Sequence, residues 1–161
     1  MKKNLSRTIL KACGFFLIAN LPFLTVTQLI GVDTFIDSFH HPSSFLYMKN
    51  KTLNSKDTSV GYIILEEPTY EGFSIKEGDR ILYYTMKDSL QQTIIYQVKS
   101  EKGATIYYTT STSEGTNGLI YEHQIVGKII GTSQDTIWST LCLQLWDLSI
   151  RNLNTASLFS D

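Results

Sequence analysis

Thr52 carries a hydroxyl with Lys49 and Lys51 close by in the chain, and such a hydroxyl attacks a carbonyl only where a neutral base takes its proton. Lys serves as that base when burial lowers its pKa, whereas in a polar loop an exposed ammonium is the ordinary state. His123, after Glu122, is a second candidate base, and its plainer reading is an exposed residue just before a strand. His40 and His41 are metal-ligating side chains, but without further ligands at zinc-site spacing they read as solvated residues. Ser43 and Ser44 follow Pro42 and read as turn material before they read as nucleophiles. Tyr83, Tyr84, Tyr96, Tyr107 and Tyr108 suit cross-strand packing, or an aromatic groove for an extended peptide. The two cysteines, Cys13 and Cys142, form neither a disulfide framework nor a Cys-based zinc site, and no cofactor or metal is expected.

These residues need a scaffold, and 161 residues suffice for one domain with an appendage. Lys and Arg number 14 against 15 Asp and Glu, so no cationic field exists to hold nucleic acid. Aromatic residues make up 12% of the chain and charged ones only 18%, which favours strands over a Lys/Glu-rich bundle.

Residues 12–32 contain no charge, and 21 residues at about 1.5 Å each reach across a hydrocarbon core of about 30 Å. Lys2, Lys3, Arg7 and Lys11 precede this stretch and Asp33 and Asp37 follow it. The positive-inside rule therefore predicts a cytoplasmic N-terminus at 1–11, an anchor at 12–32 in the cell-membrane bilayer, and an extracytoplasmic domain at 33–161. A cleaved signal fits less well, because its apolar region is shorter and no small-x-small site follows Val32. A buried helix of a soluble protein is the other alternative.

Within 33–161, residues 44–49 and 61–65 read as strands, with a polar loop at 50–60 between them. Glu77-Gly78-Asp79 forms a turn before the strand at 80–84, and 93–99 and 104–110 flank Ser100-Glu101-Lys102-Gly103 as a hairpin. A strand at 124–131 closes the sheet. The period then changes: Ile137, Trp138, Leu141, Cys142, Leu145, Trp146 and Leu148 recur at helical spacing, predicting a helix at about 135–150 capped by Ser133 or Asp135. Core packing is its expected role, with membrane-surface contact through the Trp residues as the alternative.

The sequence EGDRILYY at 77–84, IIYQV at 94–98 and QIVGKIIG at 124–131, behind an N-terminal anchor, resembles type I signal peptidases of the archaeal and endoplasmic-reticulum branch. The resemblance covers the chain to about residue 131. It implies a mainly β fold, a signal-peptidase-like antiparallel β-domain with one N-terminal transmembrane helix and a C-terminal helix. Gly78, Asp79, Gly127 and Lys128 match its fold motifs. The family's nucleophile motif is Ser-Met-x-Pro, and here Thr52-Leu53 aligns with it, or Leu65-Glu66 before Glu67-Pro68-Thr69. Tyr96 stands at the base position, where the branch has His and bacterial members have Lys. No Asp lies in 109–115, where the acid partner is expected.

A phenol with an ordinary pKa near about 10 does not take a hydroxyl proton at neutral pH. The resemblance then implies a peptidase fold with degenerate chemistry, binding or scaffolding extended peptides, signal peptides among them, beside the secretion machinery. The enzymatic alternative is an active divergent signal peptidase using Thr52 with Lys49, Lys51 or His123. The third is a structural membrane protein that binds no peptide.

Overall fold

The computed structural model describes residues 2–50, 61–85, 89–101, 103–109 and 118–157. The architecture is mainly β: one curled, seven-stranded antiparallel sheet with two helices before it and one after. The strands are β1 (Phe45–Lys49), β2 (Tyr62–Glu66), β3 (Arg80–Tyr84), β4 (Leu90–Glu101), β5 (Ala104–Thr109), β6 (Leu119–Tyr121) and β7 (Ile125–Ser133). They lie in the order β1-β2-β7-β3-β4-β5-β6, so β1 and β6 form the edges.

Strand alternation sorts the core. Tyr62 and Ile64 of β2 face the helices, while Ile63 and Leu65 face the opposite side with Leu82. Because β2 is buried on both faces, its sequence is a continuous apolar run rather than an alternating one. The sheet curls through bulges at Ile64/Leu65, Leu82/Tyr83 and Ile95/Gln97, each adding local bend and twist. Around the far half, Ile81, Tyr83, Ile95, Tyr107, Ile120 and Ile125 form a separate cluster. The hairpin stands where expected, but its pairing runs on to Glu101 opposite Ala104, so the connection is shorter than four residues. Gly103 takes a φ of 84°, which a residue bearing Cβ adopts only at a cost.

The N-terminal segment departs from a single helix ending at Val32. Helix α1 (Lys2–Ile30) stops at Gly31, whose φ of 85° breaks the helical path. Helix α2 (Val32–His40) follows, in a segment with no expected secondary structure. Among the described residues no single helix is long and apolar enough to cross a membrane, and Ile18–Ile30 with Val32–His40 meet that criterion only as a pair bent by 109°.

Helix α1 contributes to the buried core. Val26 and Ile30 of α1 are buried with Phe45, Tyr62 and Ile64 of the sheet and with Leu143, Trp146 and Ile150 of the last helix. At Gly131 a Cβ would sit 2.8 Å from the Leu29 carbonyl oxygen, so glycine there admits α1 onto β7.

That last helix, α3, spans Ile137–Ser157 rather than 135–150. Its cap is Thr136, whose hydroxyl accepts the Ser139 N–H at 3.0 Å, in place of Ser133 or Asp135. The fully buried Trp146 donates its indole N–H to Ser38 of α2 at 3.0 Å. Tyr62 of β2 bonds Thr140 of α3 at 2.8 Å.

Candidate functional site

Strand β1 is an edge whose unpaired side is readable from its hydrogen bonds. Asn50 N–H donates to the Gly61 carbonyl, and Glu67 N–H donates to that of Ser44. Bonded pairs in an antiparallel ladder recur every second residue. In the register Leu46 opposite Leu65 and Met48 opposite Ile63, Leu46 and Met48 therefore bond β2. The N–H and C=O groups of Phe45, Tyr47 and Lys49 point away from it.

Beside this edge lies an open cleft of about 460 Å³. Tyr47, Met48, Lys49 and Tyr62 line it from the sheet, and Thr140, Gln144, Asp147 and Arg151 line it from α3. Those four α3 positions are spaced i, i+4, i+7, i+11 and so share one helix face. Lys49 lies 3.6 Å from Asp135 and over the Tyr62 ring, and Arg151 holds Asp147 at 2.8 Å. Both signs of charge stand at the rim, and the walls are phenolic. A strand edge with alternating outward amides, flanked by such a cleft, has the geometry that takes an extended peptide as an added strand.

The opposite edge is less suited to that role. Tyr107 opposite Ile120 and Thr109 N–H on the Gly118 carbonyl set the ladder there, leaving Leu119 and Tyr121 pointing outward. The Gln124 side chain already takes the Tyr121 N–H at 2.9 Å. Strand β6 is only three residues long, and short capped edges resist added strands.

The expected catalytic residues do not assemble into a described centre. Thr52 and Lys51, with most of the 109–115 stretch, lie outside the described residues. Lys49 is held in its charged form: hydrogen bonding to Tyr62 first, then the charge of Asp135, raise its pKa, the wrong direction for a general base. Tyr96 is exposed on β4 and packs edge-to-face on Tyr108, ring centres 6.1 Å apart. His123 stacks on Tyr121, ring centres 5.9 Å apart. His41 packs its ring on Tyr70, and no cluster of three metal-ligating side chains exists among the described residues. Ser44 is buried beside β1 while Ser43 is exposed, and the Ser44 carbonyl serves the ladder.

The motif residues have structural work. Gly78, with φ 92°, donates its N–H to Ile95, and Ile95 N–H returns to the Asp79 carbonyl. The Asp79 carboxylate accepts the Lys76 N–H at 2.8 Å, closing the turn. This brings the Gly-Asp turn next to Tyr96 in the backbone, with the carboxylate spent locally. A Cβ at Gly127 would sit 2.8 Å from the Glu66 carbonyl oxygen, so β7 passes close to β2 there. Lys128 reaches Glu66 at 3.2 Å and donates to the Ser74 carbonyl at 3.0 Å.

The tyrosines divide by face. Tyr83 and Tyr107 are buried, and burial raises both phenols above their ordinary value. Tyr84, Tyr96 and Tyr121 are exposed. Sequence reasoning missed the β1 edge and its cleft, because neither carries a motif; the signal is the ladder phase, which needs the register. Comparison with family models, with curated proteins and with solved structures returned no match.

Proposed function

We propose that this chain is a single-pass membrane protein whose extracytoplasmic β-domain binds extended peptide segments along β1 without cleaving them. The observation that carries the reading is the outward phase of Phe45, Tyr47 and Lys49 beside the α3 cleft. Main-chain pairing at an edge gives affinity for many sequences, and the cleft gives side-chain selection. The resemblance to signal peptidases makes signal peptides the natural clients, and the altered Thr52, Tyr96 and 109–115 positions, with Lys49 holding its proton, support binding over turnover.

The anchor rests on the charge asymmetry around residues 12–32. Three of its polar residues are compatible with lipid. Asn20 donates to the Phe16 carbonyl at 2.7 Å, Thr25 to that of Leu21 at 3.0 Å and Thr27 to that of Leu24 at 2.8 Å. Such bonds satisfy polar side chains inside their own helix, as hydrocarbon requires.

The test is binding of a fluorescent signal-peptide fragment to the full chain in lipid nanodiscs, comparing Lys49→Ala with Lys49→Pro. Both remove the ammonium, but only proline removes the outward N–H, and it costs no bond to β2. One hydrogen bond contributes about 0.5–1.5 kcal/mol, so Lys49→Pro should bind about 2- to 12-fold more weakly than Lys49→Ala. Equal binding by the two variants, or no saturable binding by the parent, refutes edge pairing.

A further inference from the structure

Helix α3 is apolar on two sides. Cys142, Leu143, Trp146 and Ile150 are buried against the sheet and α1, which accounts for the face that packing requires. A second row, Ile137, Trp138, Leu141, Leu145 and Leu148, is exposed, Ile137 to 92% and Leu148 to 59%. These positions, i, i+1, i+4, i+8 and i+11, share one stripe about a third of the helix circumference wide. The Asp147 and Arg151 charges belong to the cleft face beside it. A stripe this large and uncharged on a helix already packed on its other side marks an interaction surface.

The stripe continues onto α1. Trp138 donates its indole N–H to the Thr25 hydroxyl at 3.3 Å. Ile18 and Leu21, seven and four positions before Thr25, lie on the same side of α1 and are exposed. The two helices thus present one apolar surface. Thr25 precedes the end of α1 by five residues, about 7 Å along the axis. Val26 and Ile30, just past Thr25, are buried with the sheet, so Trp138 stands where α1 passes from its exposed apolar stretch into the domain, the level at which amphipathic side chains seat at a membrane interface.

We infer that the exposed stripe of α3 lies in the outer membrane interface, as a second membrane-contacting element beside α1. The occupant is lipid, because the stripe is a lateral extension of the α1 surface that faces the bilayer in the reading above, on which this inference rests. The polar cleft face of α3 adjoins the stripe, so β1 opens at the membrane surface. The ligand class narrows accordingly to extended segments directly following a membrane-embedded helix.

The chain's two Trp residues make the test intrinsic, since Trp138 is exposed and Trp146 is fully buried. The full chain is reconstituted into phosphatidylcholine vesicles with and without brominated acyl chains, and flotation is measured in parallel. Brominated lipid should quench the Trp138 contribution, leave that of Trp146, and lose its effect in Trp138→Phe. Leu141→Asp with Leu145→Asp should abolish quenching while flotation is unchanged. Flotation without quenching of Trp138 overturns the inference and leaves the α1 anchor standing. Failure of flotation overturns both.

Discussion

Replacing Lys128 with Met breaks the ion pair that joins the β2 and β7 strands, and the structure sets the size of the loss. The Glu66 side chain is 8% exposed and that of Lys128 19%, so the pair is largely withdrawn from solvent. Severing a fully buried pair costs about 3–5 kcal/mol, because the remaining charge is left without a partner. Lys128 also gives up its bond to the Ser74 carbonyl and its position over the Phe73 ring, while its partial exposure tempers the total. About 2–4 kcal/mol is expected for Lys128→Met, and at about 2–4 °C per kcal/mol the melting midpoint falls by about 5–15 °C. Glu66→Leu should cost less, about 1–2 kcal/mol, since Lys128 keeps Ser74 and reaches water. The double variant should recover to within about 1 kcal/mol of the parent, as apolar replacements of buried pairs commonly do. Thermal melts of the chain in detergent, read by circular dichroism, supply the cycle. Single losses under about 0.5 kcal/mol, or a double variant whose loss equals the two singles added, would refute the buried-pair reasoning.

Gly131→Ala places a Cβ against the Leu29 carbonyl, a backbone atom that cannot rotate away; a loss of about 1–3 kcal/mol is expected in the same melts, and unchanged stability would sink the close approach. Tyr83 and Tyr107 have folded pKa values raised above 10.0, with burial as the leading cause. Their stabilising contribution is complete below pH 10.0 and is lost as pH rises through the folded values, so stability should fall on the alkaline side together with tyrosinate absorbance; phenols titrating at their ordinary value in the folded chain would contradict it. The purified chain should not cleave a signal-peptide substrate, and Thr52→Ala should change nothing; turnover abolished by Thr52→Ala would establish the peptidase alternative.

Six of the seven strands and the final helix were legible because local pattern dictates them: turn glycines at 78 and 103, the β-branched and aromatic run at 104–109 and a helical period after residue 136; the three-residue β6 carries too little pattern to show. The α1 end was misjudged because Val32 continues the apolar composition, while the break depends on a single glycine taking positive φ. Apolar spacing in α3 could not distinguish Trp146, buried on Ser38, from Trp138, exposed beside Thr25, since both positions satisfy a helical period. The Glu66–Lys128 pair and the β1 edge depend on register, and a one-residue slip would reverse every facing. Short family-like motifs directed attention to Gly78, Asp79 and Gly127, whose geometry proved to be turn closure and close strand approach.

The burial of Val26 and Ile30 within the domain's own core leaves no free linker between the proposed membrane helix and the sheet. A tethered domain samples heights that grow with the square root of its linker length; under the proposed membrane placement this one would be fixed at a single height and serve as a ruler. A client strand advances about 3.3 Å per residue and turns its side chains over at every step. Under the proposed function, clients would be sorted by residue count as well as by composition: one extra residue between a membrane segment and the docked stretch would reverse which side chains meet the cleft, and a second would restore the facing one full repeat further along.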